Sequence, residues 1–339
     1  MIARLARMVA FLSALTLLAI TWLRETPPPP NHDLALTILP VPLPEQRNLG
    51  PFTVTGAWQL TSPNDDFGGY SALLRGSPGR LLAFSDRGMT LEFAAPGSPP
   101  GPVLIGPVAP IASPYKRNRD VESVAWDGHT NFAWLALEGR GTIMRGMPGM
   151  EPEVVRTVPE WAEWGVNTGP EAMARLHDGR FVVLCECRSS WFDSINHPGF
   201  LYAGDPAEGV KGQPFTFAGA AGYRPTDMAE LPDGRVLVVM RKLLWPAPAR
   251  FAGKIMLADP AGLVPGKVWD SIELADLASP WPVDNFEALA IELLPGGRIA
   301  AWLMSDENEA VSQRVLLWRL EFRLSDLPAR NQAKQKAPG

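Results

Sequence analysis

Five hairpin-like repeats, spaced at about the length of one propeller blade, and turn-forming residues scattered along the whole chain predict an all-β fold, a β-propeller. The repeats are YSALLRGSPGRLLAFSDRG from Tyr70, VESVAWDGHTNFAWLALEG from Val121, PEAMARLHDGRFVVLCE from Pro170, PTDMAELPDGRVLVVMRK from Pro225 and FEALAIELLPGGRIAAWLMSDEN from Phe286. Each has a polar residue, a short apolar run, a Gly-containing turn, a longer apolar run and a charged ending. The leading residues Ser71, Glu122, Glu171, Asp227 and Glu287 stand 51, 49, 56 and 60 residues apart. The 31 glycines and 35 prolines suit many short strands better than long helices.

The first 25 residues stand apart. Arg4 and Arg7 precede the uncharged run Met8–Leu23, the basic-then-apolar order of an export signal. A cleaved signal peptide and an uncleaved membrane anchor both fit residues 1–25, and the body is expected to be exported, to the periplasm or another extracytoplasmic space. Residues 26–49, with Pro27–Pro30, read as a stiff Pro-rich linker, and the propeller domain is expected over 50–325. Phe52–Leu60 reads as an outermost strand ahead of the first hairpin and Arg314–Phe322 as a third strand after the last. If the two ends share one blade, they close the ring and leave no long free edge. Phe200–Ala203 and Gln213–Ala218 supply outer strands of another blade. Five units can be counted, with little room for a degenerate sixth, and residues 326–339 read as a disordered tail.

Asp-Gly between strand-like runs signals a two-residue hairpin turn. With Asp178 and Gly179 in the turn, Glu171 comes opposite Glu186. The same symmetry sets Ser71 opposite Asp86 and Glu287 opposite Asp306, while Glu122 and Glu138 flank a longer loop. In a blade, the start of the first strand and the end of the second share one end, so these acids are expected on one rim of the central channel. Asp227 is expected to meet Arg241 and Lys242 in an ordinary ion pair. Facing carboxylates repel, and the rim therefore needs something to neutralise it.

The segments GGYSALL…RLLAFSDRG, GPEAMARLHDGRFVVLCE and DNFEALAIE…WLMSDEN resemble the phytase-like family, described as esterase-like activity of phytase. The resemblance runs from about Gly50 to Phe322 and rests on Ser85-Asp86-Arg87-Gly88, Glu171, Glu186, Glu287 and Ser305-Asp306-Glu307-Asn308. It implies a β-propeller and an activity on phosphate or other esters. It also brings calcium into view, because the true β-propeller phytases hold calcium ions in an acidic channel.

Composition and motifs narrow the chemistry. The net charge of −5, without a dense basic patch, argues against a nucleic-acid partner. No Gly-x-Ser-x-Gly elbow occurs, since Gly69-Tyr70-Ser71-Ala72-Leu73 departs from it at the last position. Of the four histidines, His32 lies in the linker and His129 and His177 in turns away from the rim, leaving His197, read as a surface-loop residue, as the one within reach. Cys185 and Cys187 are too few for a zinc site and too close for an easy disulfide, which favours two buried thiols. Oxygen chemistry remains. Asp86, Glu122, Glu138, Glu171, Glu287 and Asp306 are candidate ligands of a hard cation such as Ca2+. Glu171, Glu186, Glu287 and Asp306 are the candidate catalytic acids. Arg87, Arg140, Arg188 and Arg241 follow the same strand ends and suit phosphate oxygens, with Trp191 as the aromatic nearest a ligand. The same arginines would equally serve a structural ion network between blades. The expected function is hydrolysis of a small-molecule ester, a phosphate ester first, by a monomer tethered to the membrane through residues 1–25 or released from it. The alternative is a non-catalytic ligand- or protein-binding propeller of the cell envelope.

Overall fold

The computed structural model describes residues 2–22, 29–109, 119–139, 141–165, 168–189, 193–246, 249–307 and 313–330. The chain divides into two units, Met1–His32 and Asp33–Gly339. The first carries helix α1 (Ile2–Trp22), which covers most of the apolar run. Among the described residues no helix is long and apolar enough to cross a membrane.

The second unit is a β-propeller. Strands β1 (Thr37–Pro40), β2 (Asn48–Leu49) and β3 (Phe52–Thr61) lead in. The first complete blade follows as β4 (Tyr70–Arg75), β5 (Arg80–Ser85), β6 (Met89–Ala94) and β7 (Leu104–Pro107). The second is β8 (Val121–Asp127), β9 (Phe132–Leu137), β10 (Thr142–Gly146) and β11 (Val154–Thr157), and the third β12 (Ala172–Arg175), β13 (Phe181–Leu184), β14 (Asn196–Tyr202) and β15 (Gly212–Ala218). The fourth is β16 (Arg224–Glu230), β17 (Val236–Pro246), β18 (Ala249–Ala258) and β19 (Val268–Leu277). Last come β20 (Asn285–Leu294), β21 (Arg298–Asp306) and β22 (Val315–Arg323). The inner strands β4, β8, β12, β16 and β20 neighbour one another in order, and β20 returns to β4. The outer edges of the third and fourth blades join where β15 runs parallel to β19 over Thr216–Ala218.

The ends of the domain close the ring as the sequence implies: β3 pairs antiparallel with β22, Trp318 opposite Ala57. β1, inside the stretch expected to be a spacer, pairs with β3 from Thr37↔Thr61 to Pro40↔Trp58. Its Thr-Ile-Leu core is strand-prone, and a proline is tolerated on an edge strand.

The hairpin turns differ from expectation. Leu176 donates its amide to the carbonyl of Arg180, which leaves three turn residues, with Gly179 at φ 88°. Gly76 to Arg80 and Leu231 to Arg235 close in the same way. A type I turn followed by a left-handed residue needs this third position, and glycine fills it without steric cost. Strand partners therefore shift by one residue, and Ala172 lies opposite Leu184.

Apolar side chains from neighbouring blades interleave. Tyr70, Leu73 and Ala83 of the first blade pack with Trp302 and Met304 of the last. Ala72 and Phe84 pack with Val124 and Leu135 of the second blade. Trp318 and Trp302 are almost fully enclosed, and each such side chain contributes on the order of 2–3 kcal/mol through burial.

Phe52 and Phe322, from opposite ends of the domain, meet edge to face at 5.1 Å. A double-mutant cycle of Phe52→Ala and Phe322→Ala, read by urea unfolding, is expected to show a coupling of about 0.5–1.5 kcal/mol. Strict additivity would mean that the ends do not close the ring in solution.

Candidate active site

Near its start each inner strand gains one residue on its partner. The ladder shifts between Tyr70 and Ala72, Val121 and Ser123, Pro225 and Asp227, and Phe286 and Ala288. In the third blade the Glu186 amide reaches the Gly169 carbonyl while Leu184 pairs with Ala172, which is the same offset. The extra residues are Ser71, Glu122, Glu171, Thr226 and Glu287. A bulge re-aims its side chain, and here the aim is the axis: the Glu122 carboxyl feels the charges of Glu171 and Glu287, which belong to other blades.

The expected facing pairs are consequently not register partners. Asp306 pairs with Asn285, Ser85 with Tyr70, and the amide of Glu138 reaches the carbonyl of Asp120. The acids share one mouth of the channel instead of one rung of a ladder. In the fourth blade Thr226 takes the bulge position, not Asp227, and its hydroxyl donates to the Phe286 carbonyl at 3.2 Å. Asp227 turns into the protein, where it accepts the amides of Met228 (2.8 Å) and Leu289 (2.6 Å). Burial pushes its carboxyl well above the ordinary range, against those two hydrogen bonds.

Arg241 does not meet Asp227, because it crosses to both neighbouring blades. Its guanidinium lies 2.9 Å from Glu186 and 2.7 Å from Glu287, and donates to the side-chain oxygen of Asn285 at 3.0 Å. Burial works against this charge, but Glu287, Glu186, Glu171 and Asp306 outweigh it and hold the guanidinium above its ordinary value. Arg224 adds a looser contact to Glu186 at 3.6 Å.

The remaining acids are less well served. Burial first, then Glu186, raises the Glu171 carboxyl well above its usual range, with Arg241 opposing. Burial, then Glu171, Asp120 and Glu138, does the same to Glu122. Burial also raises Glu287, with Arg241 opposing. Carboxyl oxygens of Asp120, Glu122 and Glu138 lie within 4.8 Å of one another. That all-oxygen set suits a hard cation and offers nothing to a soft one. Asp120 is the member that sequence reasoning missed, because nothing in the repeat pattern marks it.

Asp86 and Glu307 sit against the Gly68-Gly69 backbone. A Cβ on Gly68 would fall 1.7 Å from the Glu307 carboxylate and one on Gly69 2.2 Å from Asp86, and both glycines have positive φ. Arg87 braces this loop by donating to the carbonyls of Asp65 and Phe67 and meeting Glu307 at 3.4 Å. Arg188 is exposed at the edge of the mouth. Arg140, Trp191 and Asn308 lie outside the described residues.

Two further expectations are corrected. Cys185 and Cys187 are joined in a disulfide. β13 ends at Leu184 and the chain bends at Glu186, which brings together sulfurs that a continuous strand would keep apart. His197 is not a surface-loop residue: it is fully buried on β14 and donates Nδ1–H to the Cys187 carbonyl at 2.8 Å, with its basicity lowered chiefly by burial.

Beside Glu186 and Arg241 opens a cavity of about 720 Å3, walled by Arg188, Arg224, Lys242, Leu243 and Phe251. At the hairpin end of the inner strands lies another of about 860 Å3, with Arg75, Trp126, Arg175 and Ile291 in its wall.

Fold and site together define a β-propeller with an acidic axial mouth beside a basic cavity. The family model of phytase-like proteins, esterase-like activity of phytase, matches residues 65–309, well over half of the chain, and the chain belongs to that family. No curated protein sequence matches it. Among solved structures it is similar to glutaminyl cyclase from Myxococcus xanthus, at 14% identity and a TM-score of 0.43, over 80% of this chain and 96% of that one. It is similar to MPT-4, a mannose phosphorylase from Leishmania mexicana in complex with phosphate ion, at 11% identity and a TM-score of 0.42, over 77% and 85% of the two chains. It is also similar to the WD40 propeller domain of Doa1, at 8% identity and a TM-score of 0.37, over 82% and 99%.

Removing Arg241 leaves Glu186 and Glu287 facing each other. Arg241→Gln is expected to cost about 2–4 kcal/mol in urea unfolding, between the value of a surface pair and that of a buried one. Arg241→Lys should recover only part of it, since an ammonium cannot fork to both partners. An unchanged midpoint would remove Arg241 as the counter-charge of the rim.

Glu122 and Glu171 are held above the ordinary carboxylate range in the folded chain. Their contribution to stability is whole below the unfolded value and is lost as pH rises through the folded one. In chelator-treated protein the melting temperature should fall across that window. Glu171→Gln should flatten the fall and raise the neutral-pH melting temperature by roughly 2–4 °C per kcal/mol of relieved repulsion. A calorimetric pH series with equal slopes would refute the assignment.

Proposed function

We propose that this phytase-like propeller hydrolyses an anionic ester, a phosphate ester being the simplest fit, at the acidic mouth of its channel. The observation that carries the reading is a juxtaposition. Carboxylates suited to a hard cation and a cavity walled by Arg188, Arg224 and Lys242 lie to either side of Glu171, whose carboxyl is perturbed by both Glu138 and Glu186. Calcium is the proposed cation, held by Asp120, Glu122 and Glu138, with Glu171, Glu287, Asp86 and Asp306 around them. Bound there, it would neutralise the carboxylates and polarise a phosphoryl oxygen or a water.

The chain's own groups have distinct tasks. Arg188, Arg224 and Lys242 draw the phosphoryl oxygens into the cavity by charge-assisted hydrogen bonds. Arg241 is committed to Glu186 and Glu287 and holds those two acids in place. Glu171, with its raised carboxyl, is the proton donor. As a water oxygen bonds to phosphorus and the ester P–O bond breaks, the leaving oxygen takes the Glu171 proton, and the water gives one up to a neighbouring carboxylate.

The Cys185–Cys187 bond supports the proposed export through residues 1–25, because disulfides persist in oxidising compartments. The closed network of Arg241, Asn285, Glu186 and Glu287 favours the second reading, a non-catalytic envelope propeller, and the same experiments separate the two.

Calcium should raise the melting temperature of the wild-type chain, by the equivalent of about 2.7 kcal/mol at a hundredfold excess over Kd, and Glu122→Gln should abolish the rise. No rise in the wild type would remove the cation. With p-nitrophenyl phosphate as probe, Glu171→Gln should lower turnover by about 10²–10⁴ with the fold intact. A wild-type chain inactive with and without calcium would leave the binding propeller.

A further inference from the structure

The inner strands gather a second set of side chains at the end of the channel away from the acidic mouth. Four positions after the bulge residue of each blade, in blade order, stand Arg75, Trp126, Arg175, Glu230 and Ile291. Four residues of strand put this ring about 13 Å beyond the bulges. One position earlier come Leu74 in the first blade and alanine in the other four, at Ala125, Ala174, Ala229 and Ala290. Methyl groups at that level leave room, and both rings wall the cavity of about 860 Å3. A space of that size encloses a small organic molecule.

The charged groups of the wall are unevenly matched. Its acids have short partners: Glu92 accepts from Arg80 at 2.5 Å, and Glu230 accepts the His177 amide at 2.7 Å and lies 2.6 Å from the His177 ring. Its two guanidiniums do not. Arg75 stands 3.7 Å from Glu292, and Arg175 stands 3.4 Å from Asp127 and 5.6 Å over the Trp134 ring. Among the described residues neither guanidinium donates a hydrogen bond. Trp126, on the blade between them, is half-buried with Leu74 and Leu82, and all three line the cavity.

This wall selects a ligand with a flat apolar body and an acceptor group. An indole beside two leucines suits an aromatic ring, and guanidinium N–H groups without acceptors suit the paired oxygens of a carboxylate. Glu92 and Glu230 in the wall, with Asp127 and Glu292 behind the arginines, keep the local charge near balance. That favours one negative charge over the two of a phosphate monoester.

We propose that the hairpin end of the channel is a second ligand site, which binds a small aromatic carboxylate. Its ring lies against Trp126, Leu74 and Leu82, and its carboxylate is drawn to Arg75 and Arg175. The site is independent of the hydrolase reading, because it shares no residue with the acidic mouth or with the cavity beside Glu186.

Calorimetric titration of the full chain with 2-naphthoate tests the assignment. The wild type should bind it, and naphthalene-2-carboxamide, of the same shape without the charge, should bind about tenfold more weakly. Arg75→Gln and Arg175→Gln should each weaken 2-naphthoate by about tenfold or more, as loss of a charge-assisted hydrogen bond does. Arg75→Lys should recover part of that loss, and Trp126→Ala should cost about fivefold. The Arg75 side chain is 40% exposed, so Arg75→Gln keeps the fold and decides the matter even where Arg175→Gln lowers the melting temperature. No binding by the wild type, equal binding of the amide, or unchanged affinity in both arginine variants overturns the proposal. Competition by inorganic phosphate, or loss of binding in Arg224→Gln, also overturns it, by placing the ligand in the cavity beside Glu186.

Discussion

Antiparallel strands joined by a turn keep a fixed alternation of faces, and one residue inserted into a strand reverses that alternation beyond it. The inner strands of this propeller use such an insertion at the same level, at Ser71, Glu122, Thr226 and Glu287, with Glu171 at the matching offset. Before the bulge the strand is already paired, as Tyr70 is with Ser85 and Arg224 with Arg241. After it, side chains alternate between the cores on either side of the blade. Where the inserted residue is a glutamate, at Glu122, Glu171 and Glu287, its carboxyl meets rim charges of other blades near the axis. The acidic mouth is thus a consequence of strand geometry, since three of the inserted residues are glutamates.

That geometry concentrates charge where burial makes it costly, and the rim meets the cost in two ways. On the side of the third, fourth and last blades, a single guanidinium spans Glu186 and Glu287. On the side of the second blade, Glu122 lies against Asp120 and Glu138, and its carboxyl is driven toward the protonated form. A proton is a weak neutraliser near neutral pH. Any cation that binds there replaces it, so metal affinity and protonation are linked through the same oxygens. Glu171 lies between the two regimes, pulled down by Arg241 and up by Glu186, Glu287 and Glu138.

Much of this architecture was legible in the sequence, for a physical reason. Apolar alternation and turn residues are local properties, so the hairpins from Tyr70 to Asp306 and the closure of Phe52–Leu60 on Arg314–Phe322 could be read directly. The turn at His177-Asp178-Gly179 was read one residue short, because Asp-Gly serves two-residue and three-residue turns alike. The bulges went unseen, since an inserted residue has no compositional mark, and so Asp227 was aligned where Thr226 belongs. The disulfide escaped because strand periodicity was extended past Leu184, where the strand stops. The partners of Arg241 depend on how close the blades approach at the axis, which no single blade encodes.

Thr226 explains why one arginine suffices. An acid at that bulge would stand in the same blade as Arg241 and offer it a partner on its own side of the channel. Threonine instead spends its hydroxyl on the carbonyls of Phe286 and Val239, which ties the fourth blade to the last and adds no charge. Arg241 is then left to its neighbours, and one side chain links three blades through their charged ends. The fourth blade is also the one that extends its second and third strands past the rim. The fourth blade, which like the first contributes no acid at its bulge, supplies the counter-charge, part of the basic wall of the cavity and the elongated hairpin above it. A ring of similar hairpins is made asymmetric by two bulges without an acid, at Ser71 and Thr226, and by one elongated hairpin, which lies in the blade of Thr226.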